Sequence, residues 1–160
     1  MGRTIEEIEK ELDEIEKQRK ELDKRETKLW DEKYKVMCEG LDERVEAFFK
    51  VGKAYLSISK LDYHSDPIVL YEILSQSKDT KWPSFMVKTI TLHSYDLEFR
   101  TIVEVEKTSY EDMDNLLSGK EYIGLYELNE EDLKDIKDFL LNLNGDIEKR
   151  IEEIQDKYKE

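Results

Sequence analysis

The sequence predicts an α+β fold: a mainly antiparallel sheet of three to five strands packed with helices, flanked by two long terminal helices that pair in coiled-coil fashion. Three observations predict it. Apolar residues recur at helical spacing at both ends of the chain, they alternate at strand spacing in the middle, and 160 residues suffice for one buried core. The organisation read from these patterns is one domain over 1–160. It comprises an N-terminal helix over 1–38, an α+β body over 41–128 and a C-terminal helix over 129–160.

The first helix opens at Thr4, which forms a capping box with Glu7 three residues on. Ile5, Ile8, Leu12 and Ile15 follow at alternating intervals of three and four, and Leu22, Leu29 and Val36 continue at sevens, the spacing of a coiled-coil seam. One heptad position is apolar throughout (Ile8, Ile15, Leu22, Leu29, Val36). The other begins apolar at Ile5 and Leu12 and becomes charged at Arg19, Glu26 and Lys33. Glu6/Lys10, Asp13/Lys17, Glu16/Lys20 and Glu21/Arg25 stand four apart with the acid first, the favourable order. Near Trp30 a second stripe appears (Trp30, Tyr34, Met37, Leu41), where the helix is expected to meet the body. Gly40 then permits a break, and Leu41, Val45, Phe48 and Phe49 mark a short amphipathic helix ending near Gly52.

Strands are predicted where polar and apolar residues alternate: Ala54–Ser59, a long pair over Phe85–His93 and Leu97–Lys107 joined at Ser94-Tyr95-Asp96, and Tyr122–Leu128. On the second strand of the pair, Leu97, Phe99, Val103 and Val105 are expected to pack, leaving Glu98, Arg100, Glu104 and Glu106 wet. Ile68–Leu74 reads equally as a helix started by Asp66-Pro67 or as a buried strand. Ser109 is expected to cap a short helix carrying Tyr110, Met113 and Leu117 and stopped by Gly119. The C-terminal helix is capped by Asn129, with Glu130, Glu131 and Asp132 in its first turn. Each terminal helix would be about 45–50 Å long. Their distal seams are expected to pair antiparallel, with Ile8, Leu12, Ile15 and Leu22 of the first set against Ile147, Ile151 and Ile154 of the last. The alternative is pairing across a homodimer.

Composition excludes several functions. Forty acids against 26 bases give a net charge of −14, which opposes direct binding to nucleic acid or to an anionic membrane. One cysteine, Cys38, permits no intrachain disulfide. With no apolar run long enough to span a bilayer and no apolar signal core, the chain is expected to be cytoplasmic.

Catalytic groups are sparse. His64 with Asp62 and Asp66 is thin ligand density for a metal, so no metal or cofactor is expected. There is no G-x-S-x-G elbow and no glycine-rich phosphate loop. Glu98, Glu104, Glu106 and Lys107 on one strand would suit a metal-dependent nuclease, but they also suit a solvated sheet face.

The charge is unevenly spread. Residues 1–40 carry 13 acids and 10 bases, and residues 41–108 carry 11 and nine; residues 109–160 carry 16 and seven. Within the last part, residues 109–148 hold 12 acids against Lys120, Lys134 and Lys137. Glu131, Asp135, Asp138 and Asp146 recur near one helix face, with Glu111, Asp112 and Asp114 upstream. A carboxylate line beside an apolar seam serves either as a solubilising face or as a surface that docks on a basic groove by imitating phosphates.

At the level of class, the chain resembles small phage-encoded anti-defence proteins, including anti-CRISPR inhibitors. It shares their short length, acidity, Lys/Asp/Glu/Tyr richness, helix–sheet–helix layout and lack of a catalytic constellation. The resemblance carries no residues over. It implies non-enzymatic, stoichiometric blocking of a protein partner that binds or processes nucleic acid, in the host cytoplasm. A coiled-coil homo-oligomeric structural or adaptor protein is the alternative expectation, and a small metal-dependent nuclease the third.

Overall fold

A computed structural model describes residues 2–78, 82–119 and 122–158. Lys120 of the acidic stretch and residues 159–160 of the expected C-terminal helix lie outside them. The chain divides into two compact units, Met1–Gly40 and Leu41–Glu160.

The first unit is a single helix, α1 (Ile5–Cys38), without Gly or Pro in its interior. Thr4 accepts a hydrogen bond from the Glu7 N–H and Glu7 accepts one from the Thr4 N–H, both at 3.2 Å, so the capping box forms. Of the four charge pairs expected along the helix, Glu16–Lys20 stands within ion-pair reach, at 3.7 Å. No residue of α1 is buried.

The second unit holds α2 (Leu41–Phe48), β1 (Ala54–Ser59), β2 (His64–Ser77), β3 (Ser84–Tyr95), β4 (Glu98–Ser109), α3 (Tyr110–Ser118), β5 (Tyr122–Leu128), α4 (Glu130–Leu141) and α5 (Ile147–Tyr158). The strands form one five-stranded sheet in the order β4-β3-β2-β1-β5, with every neighbouring pair antiparallel. The α+β class and the antiparallel sheet agree with the sequence pattern.

Alternation along the strands divides the core between two faces. Ala54, Leu56, Ile58, Ile68, Leu70, Ile90, Leu92 and Leu128 point to one face, where Ile136, Leu140, Ile151 and Ile154 of α4 and α5 cover them. Tyr55 points to the other and packs among Phe48 and Phe49 at the end of α2. On that same face Tyr110 of α3 stacks on Phe85, with ring centroids 4.9 Å apart. β1 and the middle of β2 are therefore covered on both sides. This resolves Ile68–Leu74 as strand: a doubly covered strand reads as a continuous apolar run, and periodicity cannot separate that from a buried helix.

Four expectations are corrected. First, the described part of the expected C-terminal helix, up to Tyr158, forms two helices of 12 residues each rather than one long helix. Asn142 ends α4, Gly145 takes φ +68°, and the Asp146 carboxylate accepts from the Lys149 N–H at 3.1 Å to start α5. The reversal lets both apolar stripes bury on the sheet, where one straight helix would leave half its stripe in water.

Second, Ile147, Ile151 and Ile154 serve the sheet core, and the seam expected between them and Ile8, Leu12, Ile15 and Leu22 is not shown. Ile151 and Ile154 are buried in the sheet core with Ile147 packed beside them, while Ile8, Leu12, Ile15 and Leu22 stay 43–59% exposed. Third, the long hairpin turns at Asp96-Leu97, where both residues take positive φ (51° and 62°), rather than at Ser94-Tyr95-Asp96. A two-residue turn of that hand matches the twist of the flanking strands.

Fourth, the apolar side of β4 is packed at one end only. Phe99 joins the core and the Thr101 hydroxyl donates to the Leu140 carbonyl, but Val103 and Val105 are about half exposed. A 12-residue helix reaches about 18 Å, whereas a 12-residue strand runs about 40 Å, so α4 cannot cover β4 to its far end.

Candidate functional site

The α4–α5 hairpin sets out the acidic side chains. Burial of Ile136 and Leu140 on the sheet fixes the rotation of α4, which leaves Glu131, Asp135 and Asp138 exposed. Asp146 lies at the head of α5. Asp135, Asp138 and Asp146 line one open depression of about 770 Å³, together with Phe139, Asn142, Asn144, Lys149, Arg150 and Glu153. Glu131 is not among its lining residues.

The depression is polar, with four carboxylates against two cations. Arg150 pairs with Glu153 at 3.2 Å and its guanidinium lies 5.8 Å from the Phe139 ring centroid. Both contacts hold the α5 side of the wall in place. Asp135, Asp138 and Asp146 make no ion pair within 4 Å among those seen in the described residues. Beside the depression, Lys157 of α5 reaches Asp132 of α4 at 2.7 Å, and this contact holds the Asp132 carboxyl below its usual range. Burial, followed by the Asp132 charge, pushes the Tyr158 phenol up to about 12. Lys137 joins Glu72 of β2 at 2.7 Å and anchors α4 to the sheet.

The upstream acids do not join this cluster. Glu111, Asp112 and Asp114 sit on α3, which packs with α2 on the opposite face of the sheet. There Asp114 is engaged by Arg44, whose Nε and Nη2 donate to its two oxygens at 3.1 and 3.2 Å. Glu111 and Asp112 are exposed. The acidic stretch read as one feature is thus two, separated by the thickness of the sheet.

The other candidates disperse as well. His93 Nδ1 lies 2.6 Å from Asp66, and His64 Nε2 lies 3.5 Å from Asp96. Asp62 turns back on its own loop to accept from the Tyr63 N–H at 2.7 Å. Among the described residues, no group of three or more His, Cys, Asp and Glu side chains is placed to hold a metal ion. Glu98, Glu104 and Glu106 share one face of β4, but strand alternation puts Lys107 on the other.

Glu153, Arg150, Asn142 and Asn144 line the depression but were not singled out from sequence. Their signal was the Asn142-Leu143-Asn144-Gly145-Asp146 run, a turn composition that folds α5 back beside α4. No helix among the described residues is long and apolar enough to cross a membrane. Among protein-family models, curated proteins and solved structures, no match to this chain is found.

Proposed function

We propose that the protein is a non-enzymatic inhibitor of the anti-defence type, which occludes a basic, nucleic-acid-processing protein in the host cytoplasm. The contact surface is the α4–α5 depression. The observation that carries this reading is the gathering of Asp135, Asp138, Asp146 and Glu153 around one open concavity on a helical hairpin fixed to the sheet. Side chains held by a rigid scaffold lose little freedom on docking, and a negative concavity with few cations is complementary to a groove that holds phosphates. Exposed asparagines in the same wall supply neutral hydrogen bonds that tolerate a wet interface.

The experiment is capture of host proteins from lysate on the immobilised full chain, compared with the triple variant Asp135→Lys/Asp138→Lys/Asp146→Lys. The reading expects basic nucleic-acid-binding proteins on the first column and their loss from the second. An identical set of captured proteins on both columns refutes it. All three positions are exposed; Asp146 also caps α5, and loss of that one cap costs about 1 kcal/mol and leaves the core side chains unchanged.

A further inference from the structure

The N-terminal helix carries a separate surface, independent of the α4–α5 depression. α1 is 34 residues long, about 51 Å, and none of its residues is buried. Along one side Ile8, Ile15, Leu22, Leu29 and Val36 repeat every seven residues and are 43–67% exposed. A five-heptad apolar stripe left in water is a binding surface, because helices of this kind draw most of their stability from packing such a face.

The charges on the helix select the occupant. Residues 5–16 hold seven acids and one base, while residues 17–38 hold eight bases and five acids. The helix is therefore complementary to itself when reversed. A parallel self-pair would stack the acidic ends on each other. Across its seam it would set Arg19 on Arg19, Glu26 on Glu26 and Lys33 on Lys33, and Glu11 would meet Glu16 of the second copy. An antiparallel pair in full overlap instead sets each charged seam residue opposite an aliphatic one. Arg19 meets Leu22 of the second copy, Glu26 meets Ile15 and Lys33 meets Ile8, within a turn of Glu9 and Glu11. The charged heads reach solvent along their aliphatic stems.

We infer that α1 is the contact of a homodimer in which two copies of the helix pair antiparallel. The half-charged seam that makes a parallel zipper poor is what fixes the orientation of this one. Charged residues at seam positions cost stability and gain specificity of register.

The test uses the full chain. Sedimentation equilibrium across the micromolar range is expected to give twice the 19.2 kDa chain mass. Leu22→Asp, at a side chain 59% exposed in the single chain, is expected to raise the dimer Kd by about a hundredfold. Lys33→Glu distinguishes orientations, because it places a like charge beside Glu9 and Glu11 in the antiparallel pair and merely exchanges one repulsion for another in the parallel one. It is expected to weaken the dimer by about tenfold.

Cys38, the only cysteine, serves as a spin-label site at the end of the helix. Antiparallel pairing puts the two labels about 50 Å apart, and parallel pairing puts them within about 20 Å. A monomer throughout the range, a dimer indifferent to Leu22→Asp, or labels at the short distance would each overturn the inference.

Discussion

Tyr55→Phe removes one oxygen atom from β1, and its cost follows from the contacts of that atom. Tyr55 is fully buried, and its hydroxyl donates to the Phe48 carbonyl and accepts from the Lys50 N–H, both at 2.8 Å. It closes the C-terminal end of α2 onto β1, while its ring packs among Phe48 and Phe49 at 5.0–5.3 Å between centroids. The ring stays in the variant, so the packing survives and the two hydrogen bonds are lost. A buried hydrogen bond contributes about 1 kcal/mol net, and leaving its partner unsatisfied costs about 1–3 kcal/mol. Lys50 is exposed and its N–H can turn to water, whereas the half-buried Phe48 carbonyl is less free to. The expected loss is about 2–3 kcal/mol. For a unit of this size that is a fall in Tm of about 8–12 °C. Near-ultraviolet circular dichroism during heating and in urea reads it, with Tyr63→Phe at a 62% exposed site as control. A loss below about 0.5 kcal/mol would refute the argument that the hydroxyl ties α2 to the sheet.

Three further outcomes follow from the same contacts. Burial raises the phenols of Tyr55, Tyr110 and Tyr158, the last two to about 12. A folded-state pKa above the unfolded value of about 10 means stability is full below pH 10 and falls as pH rises toward 12. For the fully buried Tyr110 the loss is about 2–3 kcal/mol. Absorbance titration at alkaline pH is expected to show these three tyrosines ionising late and together with unfolding; ionisation of all three near pH 10 without unfolding would count against it. Gly124→Ala would place its methyl inside the ring of Tyr126, which packs on Tyr158 at 5.3 Å. The ring must move off both, and urea unfolding is expected to register about 1–3 kcal/mol of destabilisation. Leu97→Gly relieves a side chain held at φ 62° in the hairpin turn, and is expected to stabilise the unit by about 0.5–1 kcal/mol in the same assay.

Much of this fold was readable because its signals are local. The Thr4 and Ser109 caps, the Gly119 stop and the strand over Ala54–Ser59 each depend on a few neighbouring residues, and each forms as read. What misled were features decided by distant partners. The apolar series from Leu133 to Tyr158 continues through Gly145 with no break in period, which masks the turn composition of residues 142–146 that the sheet's need for a cover puts to use. Val103 and Val105 alternate like packed residues, but whether a helix reaches them is set by the length of α4.

The acidic stretch failed in the same way. Asp114 and Asp135 lie close in sequence, yet the crossing of β5 sends their helices to opposite faces. Asp135, Asp138 and Asp146 did converge, because the turn that splits the expected helix brings the head of α5 back to α4.

Occupation of a phosphate-binding groove by the α4–α5 depression is measured by competition on the captured partner. Fluorescence polarisation of a labelled duplex bound to that partner would be followed while this protein is added. Stoichiometric displacement of the duplex is expected, weakened steeply by salt and abolished by Asp135→Lys/Asp138→Lys/Asp146→Lys. A ternary complex, in which the partner holds the duplex and this protein together with undiminished affinity for each, would contradict it.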